Sequence, residues 1–202
     1  IIDGQNVRGG IHTDGFDYHN IYNLKIINTR YGSIKSWSKS NISAPLDSDL
    51  SIGWRIERND FDHVTGPEGT NISHVAMWGT KNWVVKNNLI NDVSLDSGSG
   101  NVAGIQAYGT INALVTHNRI TNAALGIYWK DHFVQDGSYI PHLGSDISYN
   151  LIEGVVDGLL VHGVAEQSGS QNFHHNIIRG YTRAGIRAET KYGSSPVSPT
   201  DF

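Results

Sequence analysis

The most regular feature of the sequence is a short motif of apolar and polar positions. An apolar residue is followed three positions later by Asn and, after two more positions, by a second apolar residue. The five copies are Ile56/Asn59/Phe61, Val85/Asn88/Ile90, Val115/Asn118/Ile120, Ile147/Asn150/Ile152 and Phe173/Asn176/Ile178. We interpret the region around Ile26 and Asn28 as a degenerate first copy, in which Arg30 replaces the second apolar residue. Because the Asn residues are 29, 30, 32 and 26 positions apart, the pattern predicts a solenoid.

A second set of positions lies between these motifs and is always aliphatic. Its members are Ile11, Ile34, Val75, Ile105, Ile127, Leu159 and Ile186, and five of them follow a glycine, namely Gly10, Gly104, Gly126, Gly158 and Gly185. Two positions later come mostly small or apolar residues: Thr13, Ser36, Met77, Ala107, Trp129, Val161 and Ala188. This alternation with a period of two predicts that both sets point into a core and that the residues between them face outward.

Each repeat therefore predicts one coil made of a strand after Gly, a second strand, and a third strand beyond a bend at Asn. Asn is suited to the bend because it tolerates the left-handed backbone conformation, and stacked amides can bond to each other from coil to coil. We expect an all-β, single-stranded parallel β-helix of about seven coils with an Asn ladder. Residues 1–192 would form this domain, as part of a longer chain, and residues 193–202 a Ser/Pro-rich tail or linker.

Composition supports this fold class and excludes several functions. With 23 Gly, 18 Asn and only 17% charged residues, the chain favours strands and turns and is not an all-α protein. The absence of Cys excludes disulfide scaffolds, Cys-based zinc sites and thiol nucleophiles. A net charge of -4 gives no general attraction to nucleic acid, and no apolar run is long enough to span a membrane. We therefore expect neither partner.

The segments GIQAYGTINALVTHNRI and GIYWKDH, followed by DISYNLI, resemble the right-handed parallel β-helix of the pectate lyase-like superfamily. The resemblance extends over nearly the whole chain and implies a right-handed coil and a polysaccharide ligand. It does not by itself imply one activity, because this superfamily includes lyases, hydrolases, epimerases and non-catalytic fibres. The function must therefore be inferred from the residues on the outward face.

The predicted phase places two rows of side chains on that face. The first outer row, one position after each aliphatic residue, contains His12, Lys35, Ala76, Gln106, Tyr128, Leu160 and Arg187. The second outer row, three positions after, contains Asp14, Trp37, Trp78, Tyr108, Lys130, His162 and Glu189. We predict that Trp37, Trp78 and Tyr108 form an apolar strip for sugar rings, assisted by Gln106, Tyr128 and Glu189. In the alternative interpretation, the aromatic rings stack on one another and shield the sheet.

Lys130, His162 and Arg187 are the candidate catalytic residues. Cleavage of a uronate polymer by β-elimination needs a base beside the carboxylate and positive charge to stabilise the enolate. In β-helix lyases such as alginate lyases and chondroitinase B, a Lys and an Arg on neighbouring coils play these roles, and the resemblance implies Lys130 as the base. Arg187 or His162 would neutralise the carboxylate, and Tyr128 or Tyr108 would donate a proton.

Two other functions are kept as alternatives. A glycoside hydrolase needs two carboxyl groups, for which Asp131 and Glu189 are the nearest pair on this face. A non-catalytic fibre, adhesin or glycan-binding segment would need only the repeat itself.

We predict no cofactor. A calcium site built from Asp131, Asp136, Asp146 and Asp157 is possible chemically but has no clear ligand pattern. A polysaccharide ligand suggests an extracellular or periplasmic protein, and uncapped coil ends would allow self-association.

Overall fold

The computed structural model describes residues 1–37, 50–94, 100–130, 132–133, 139–140, 143–162 and 170–189. These residues contain strands and no helix. The first strands are β1 (Ile2–Asp3), β2 (Ile11–Asp14), β3 (Asn20–Tyr22), β4 (Lys25–Arg30), β5 (Gly32–Trp37), β6 (Ser51–Ile52), β7 (Arg55–Glu57), β8 (Asp60–Thr65), β9 (Asn71–Lys81), β10 (Val84–Lys86) and β11 (Leu89–Val93). They are followed by β12 (Asn101–Ile111), β13 (Leu114–Thr116), β14 (Arg119–Lys130), β15 (His132–Phe133), β16 (Tyr139–Ile140), β17 (Asp146–Ser148), β18 (Leu151–His162), β19 (Asn172–His174), β20 (Ile177–Arg179) and β21 (Ala184–Glu189).

The strands form two stacked parallel sheets that wind around one core. One sheet has six strands in the order β19-β17-β13-β10-β7-β3, and the other has thirteen and is strongly curled. Strands β14 and β18 continue around the bend of the curled sheet, where earlier coils use two separate strands such as β8 and β9. The only antiparallel pair within the described ranges is the short hairpin of β15 and β16. The fold is a right-handed parallel β-helix, which confirms the predicted class and the fold implied by the resemblance.

The aliphatic column of the sequence is one continuous row in the structure. Ile11 pairs with Ile34, Ile34 with Val75, Val75 with Ile105, Ile105 with Ile127, Ile127 with Leu159, and Leu159 with Ile186. From Ile34 to Leu159 these side chains are buried in the core, together with Met77, Ala107 and Trp129 from the column two positions on. The inward phase is therefore confirmed, whereas the number of complete coils stays a prediction.

Glycine precedes this column because the bend leaves no room for a side chain. A Cβ on Gly126 would lie 2.5 Å from the carbonyl oxygen of Gly158 and 2.5 Å from Cγ2 of Ile152. Such approaches are well inside van der Waals contact, and one of the two atoms belongs to the backbone. Glycine at this position is thus required by packing between coils.

The Asn ladder is present from Asn59 to Asn176. From Asn59 to Asn150, each side-chain Nδ2 donates to the side-chain Oδ1 of the next ladder Asn, at distances of 3.1, 2.9, 3.0 and 3.0 Å. It also donates to a backbone carbonyl at the first apolar position of the preceding coil, as from Asn118 to Val85 at 2.9 Å. Because Asn59, Asn88, Asn118 and Asn150 are almost fully buried, these hydrogen bonds satisfy polar groups that water cannot reach.

The predicted conformation at the ladder is wrong by one residue. The ladder Asn residues do not have a positive φ; the residue before each of them does, with values of 57° at Arg58, 57° at Asn87, 54° at His117, 55° at Tyr149 and 52° at His175. A left-handed residue reverses the chain direction, and the ladder Asn then lies in the corner with its amide turned inward. Its hydrogen bonds, rather than its backbone tolerance, account for Asn at this position.

The predicted phase of the first repeat is also wrong. Ile21 pairs with Ile56 and Ile26 pairs with Phe61, so the first copy of the motif is Ile21/Leu24/Ile26. Leu24 occupies the ladder position, and its backbone N–H donates to Oδ1 of Asn59 at 3.0 Å. The ladder position of this coil therefore contributes a backbone donor and no side-chain amide.

Two coils replace the Gly before the aliphatic column by polar residues that bond inside the core. The hydroxyl of Ser33 lies 2.9 Å from that of Thr29 and 2.8 Å from Nδ1 of His74, and Nε2 of His74 donates to the carbonyl of Asn91 at 2.7 Å. His74 is fully buried, and this burial lowers the pKa of its imidazole to about 4. The ring is therefore neutral and fully bonded, as buried polar groups require.

Within the described ranges we find no helix with the length and apolar character needed to cross a membrane. The predicted tail at residues 193–202 lies outside the described residues.

Candidate functional site

The two outer rows are in register, as the sequence predicts. In the second outer row Trp78 pairs with Tyr108, Tyr108 with Lys130, Lys130 with His162, and His162 with Glu189. In the first outer row Gln106 pairs with Tyr128, and Leu160 pairs with Arg187. Asp14 pairs with Trp37 at the start of the second row, but the side chains of these two residues are not among those described.

The outward side chains form a second apolar cluster that is separate from the core. It contains Ala76, Trp78, Ala103, Tyr108, Leu125, Tyr128 and Leu160. The rows therefore face away from the core, but the expectation that they are open to solvent is wrong. Trp78 and Tyr108 are each 6% exposed, Tyr128 is 2% exposed and Gln106 is fully buried. Outward side chains of successive coils pack against one another so closely that several of them are buried.

The aromatic rings on this face stack on one another along the helix axis. Trp78 and Tyr108 lie with their ring centres 5.2 Å apart and their planes inclined by 15°. The ammonium of Lys35 lies 4.4 Å from the centre of the Trp78 ring, and that of Lys130 lies 5.6 Å from the centre of the Tyr108 ring. The order of the coils thus places a lysine on each side of the aromatic pair. Because the ring faces are occupied, Trp78 and Tyr108 present only their edges outward. This geometry matches the interpretation in which the aromatic rings stack on one another and shield the sheet. Sugar binding by Trp37, Trp78 and Tyr108 stays a prediction.

Gln106 does not present its amide group to solvent. Its Nε2 donates to the carbonyl oxygens of Asn101 at 2.7 Å and Ile72 at 3.2 Å. Its Oε1 is buried and has no hydrogen-bond partner in the described part of the chain. Gln106 therefore ties β12 to β9 and lies beneath the surface that a ligand would contact.

Tyr128 and His162 form the closest polar contact between the candidate residues. The Tyr128 hydroxyl lies 2.7 Å from Nδ1 of His162, and the two rings are stacked with centres 5.9 Å apart. The Tyr128 hydroxyl can donate to Nδ1 or accept from Nδ1–H. Where it donates, a neutral His162 carries its ring hydrogen on Nε2.

Arg187 is engaged by carboxylates. Its Nε donates to Asp157 at 2.8 Å, its other nitrogens contact Asp157 and Glu189, and Arg183 also pairs with Asp157. The Asp157 side chain is fully buried, and although burial alone would raise its pKa, the two arginines lower it. Asp157 thus fixes the guanidinium of Arg187 at the end of the outer rows, and Glu189 is part of this ion-pair network.

Two ionisable groups on this face have pKa values shifted by burial. Burial lowers the pKa of the Lys35 ammonium. Burial, with a smaller contribution from Tyr128, raises the pKa of the Tyr108 hydroxyl far above its usual value. Tyr108 therefore keeps its proton throughout the physiological range. Its hydroxyl lies 3.5 Å from Oδ1 of Asn71 and also interacts with the Asn101 side chain.

The candidate calcium ligands do not converge where the structure describes them. Asp146 is bound by Ser148 at 2.5 Å and by His174 at 2.9 Å, whereas Asp157 is bound by arginines on another sheet. Asp131 and Asp136 lie outside the described residues. Among the described residues no group of three or more His, Asp or Glu side chains is arranged to hold a metal ion.

Sequence reasoning did not assign two residues to this site, Lys35 and Asp157, and considered Asp157 only as a calcium ligand. Lys35 was placed in the first outer row but not chosen, although its contact with Trp78 mirrors that of Lys130 with Tyr108. Asp157 lies two positions before the aliphatic column, where its partner in β14 is Leu125. Its acidic character in an otherwise small or apolar column was the signal that could have identified it.

Comparisons with known proteins give only distant similarities. No protein-family model matches the chain, and a search of curated proteins finds no match. Among solved structures, the chain is similar to the A-module of Azotobacter vinelandii mannuronan C-5 epimerase AlgE4, with 15% identity and a TM-score of 0.47, over 92% of this chain and 58% of that one. For the AlgE6 A-module of the same organism the identity is 10% and the TM-score 0.36, over 93% and 59%. The chain thus spans less than two thirds of either structure, and we base no functional argument on them.

Proposed function

We propose that this protein binds an acidic, uronate-containing polysaccharide on its outer rows and cleaves it by β-elimination. The observation that carries the proposal is the contact between Tyr128 and His162, next to Lys130 on the same face. Tyr128 and Lys130 lie on β14, and His162 lies opposite Lys130 on β18, whose backbone is about 4.8 Å away. The reaction requires a base, a donor and a neutralising group at this kind of distance.

The roles follow from the chemistry of each side chain. Lys130, in its uncharged amine form, removes the proton on the carbon next to the uronate carboxylate. The electron pair then forms a carbon–carbon double bond as the bond to the glycosidic oxygen breaks, and that oxygen takes up a proton from the Tyr128 hydroxyl. The proton gained by Lys130 then passes to Tyr128, which restores both residues. His162, held by Tyr128 with a hydrogen on Nε2, is positioned to donate to the carboxylate oxygen on which negative charge develops.

Of the two residues considered as carboxylate neutraliser, His162 fits better than Arg187. The guanidinium of Arg187 already contacts Asp157 and Glu189, so most of its charge is compensated before any ligand binds. Arg187 then contributes by ordering the last described coil of the outer rows. Tyr128 rather than Tyr108 supplies the relevant hydroxyl, since only Tyr128 contacts an imidazole.

The hydrolase alternative has less support from the described residues. Inverting and retaining glycosidases both use a pair of carboxyl groups, one of them protonated. Asp157 and Glu189 are the carboxylates described at this end of the outer rows, and both are ion-paired with arginine, which favours the ionised form. Because acidic polysaccharides occur outside the cytoplasm, we further propose an extracellular or periplasmic location.

The experiment is an incubation with alginate, pectate and glycosaminoglycans while the ultraviolet absorbance of the unsaturated product is recorded. We expect absorbance to rise with at least one of them and Lys130→Ala to lower kcat by about 100- to 10,000-fold. Lys25→Ala is the matched control, because Lys25 is an ion-paired lysine of β4 that lies away from the outer rows.

Three other outcomes would contradict the lyase proposal. An increase in the number of reducing ends without a rise in ultraviolet absorbance indicates hydrolysis. Deuterium that enters the polymer from heavy water without cleavage indicates proton abstraction without elimination. Binding without any of these changes indicates a non-catalytic glycan-binding protein.

A further inference from the structure

A second row of exposed side chains runs along a different corner of the β-helix. It consists of the residues that immediately precede the ladder Asn residues, namely Arg58, Asn87, His117, Tyr149 and His175, and we call it the corner row. All five side chains are exposed, and all five residues have a left-handed backbone. The corner row lies between the six-stranded sheet and the curled sheet, so it is separate from the outer rows.

The residue types in the corner row are unusual for this backbone conformation. The other left-handed positions of the coils are mostly occupied by Asn, Asp or Gly: Asn28, His63, Asp92, Asn122, Gly154 and Gly180 at one bend, and Tyr18, Gly53, Asn82, Asn112 and Gly144 at another. Those residues adopt a positive φ at little cost, and His is also tolerated, whereas Arg and Tyr are not favoured there. Arg58 and Tyr149 are therefore the two outliers of the corner row, and such outliers motivate a functional hypothesis for it.

Three rings of the corner row stack so that their edges face outward. The ring centres of His117 and Tyr149 are 5.2 Å apart, and those of Tyr149 and His175 are 4.9 Å apart. Nδ1 of His117 is bound to the Thr116 hydroxyl at 2.8 Å, and Nδ1 of His175 to His174 at 2.7 Å. Nε2 of His117 and of His175 makes no hydrogen bond within the described ranges. The stack therefore presents one polar edge per coil.

The corner row carries no carboxylate, and the nearby acids are already bound. Glu57 is paired with Arg55 at 2.5 Å, and Asp146 is bound by Ser148 and His174. Across the corner, Asp60 pairs with Lys25 and Glu153 pairs with Arg119. Arg58 and the half-buried Lys86 of β10 add positive charge, so the row offers hydrogen-bond donors and a weakly positive potential along the helix axis.

We propose that the corner row is a second binding strip, which holds a linear acidic polysaccharide along the axis of the β-helix. Carboxylate and hydroxyl oxygens of successive sugars would accept hydrogen bonds from Arg58, the imidazole edges and the Tyr149 hydroxyl. A glycan fits better than nucleic acid, because the donors of the row are mainly imidazole and hydroxyl groups and the row has only one arginine to pair with phosphates. The strip shares the ligand class of the proposed function but none of its catalytic residues.

The test uses His117→Asn, Tyr149→Asn and His175→Asn combined in one variant, because Asn retains the left-handed backbone. Binding of size-fractionated oligouronates from alginate and pectate is measured by calorimetry in a Lys130→Ala background, which prevents cleavage. We expect at least tenfold weaker binding, and in the parent protein we expect the ring signals of His117 and His175 to shift on titration in NMR spectra. His63→Asn is the matched control, since His63 is a left-handed histidine in another row, bound to Asp92.

Three results would overturn the proposal: ring signals that do not move at saturating oligouronate, equal weakening by His63→Asn, or tighter binding of a single-stranded oligonucleotide than of oligouronate. If the triple variant unfolds, Tyr149→Asn alone replaces it.

Cleavage activity distinguishes a failure of the corner row proposal from a failure of the proposed function of the outer rows. A protein with intact Lys130 and an altered corner row still cleaves short oligosaccharides at the parent rate. Lys130→Ala instead slows cleavage strongly and leaves the NMR shifts at the corner row unchanged.

Discussion

The hydroxyl of Tyr128 lies 2.7 Å from Nδ1 of His162 and comes from the preceding coil of the β-helix. The contact joins two residues 34 positions apart in the sequence. With the hydroxyl as the donor, a neutral His162 carries its hydrogen on Nε2, and that atom can act on a ligand. The hydrogen bond is also one of the interactions that connect β14 and β18 on their outward side.

Tyr128→Phe should lower the free energy of unfolding by about 1 kcal/mol, because it removes one hydrogen bond and leaves the ring packing intact. Nitrogen NMR should show Nε2–H as the dominant His162 tautomer in the parent protein and a mixture in the variant. Tyr108→Phe is the control, since its hydroxyl contacts the side chains of Asn71 and Asn101 rather than an imidazole. An unchanged tautomer ratio in Tyr128→Phe would show that another group orients the imidazole.

Protonation of His74 should destabilise the protein at acid pH. Its pKa is about 4 in the folded chain because of burial, compared with 6.5 in the unfolded chain. Above pH 6.5 neither state binds the proton; between pH 6.5 and about 4 only the unfolded state does. The free energy of unfolding should therefore fall as the pH decreases through this window, by roughly 3 kcal/mol in total from this residue.

The measurement is denaturant unfolding of the parent protein and of His74→Gln between pH 4 and pH 7.5. The variant has no titrating ring at this position, so the stability difference between the two proteins should shrink as the pH falls. A difference that stays constant with pH would show that His74 does not remain neutral in the folded state.

Asn118→Leu should lower the free energy of unfolding by about 2–4 kcal/mol. It removes the amide donated to Val85 and Asn150 and the oxygen that accepts from Asn88, and it leaves buried polar groups without partners. Asn176→Leu, at the last described coil, is the matched control and should cost less, because Asn176 is only half-buried. Unfolding free energies are measured by urea denaturation. An equal decrease in the two variants would show that the stabilisation by a ladder Asn does not depend on its burial or on neighbours on both sides.

Gly126→Ala should lower the free energy of unfolding by about 1–3 kcal/mol, because the new Cβ overlaps a backbone carbonyl of the next coil. Gly185 occupies the same column in the last described coil, where the atom nearest to an added methyl group would be a Tyr181 ring carbon at 3.3 Å. Gly185→Ala should therefore be nearly neutral in thermal unfolding. If Gly126→Ala left the free energy of unfolding unchanged, adjacent coils would have to be able to move apart at the bend.

Some features that position the candidate site could be predicted from the sequence alone. The columns that begin at Ile11 and Asp14 are in the predicted register along the described strands. The sequence could not predict that Lys35 covers one side of Trp78 while Lys130 covers the far side of Tyr108. Those contacts depend on rotamers and on neighbours in adjacent coils, and alternation along one strand carries no information about either.

Two sequence-based errors have the same physical origin. Leu24 was not recognised as the first ladder position because the motif was defined by Asn, whereas pairing of Ile26 with Phe61 sets the phase. The left-handed residue was assigned to Asn by its intrinsic tolerance, whereas the structure places it one residue earlier, even where that residue is Tyr149. In both cases, contact with the next coil overrode local preference.

The sequence by itself determined the coil: which residues form strands, which column points inward and which positions stack. It could do so because each coil repeats the same local pattern, and period-two alternation directly encodes the side of a strand. Only the tertiary structure decided how far the outward face is buried, which rings stack by their faces, and that Arg58, His117, Tyr149 and His175 share one exposed corner. Those properties arise from packing between residues about 30 positions apart, where the chain specifies neighbours only after it has wound into coils.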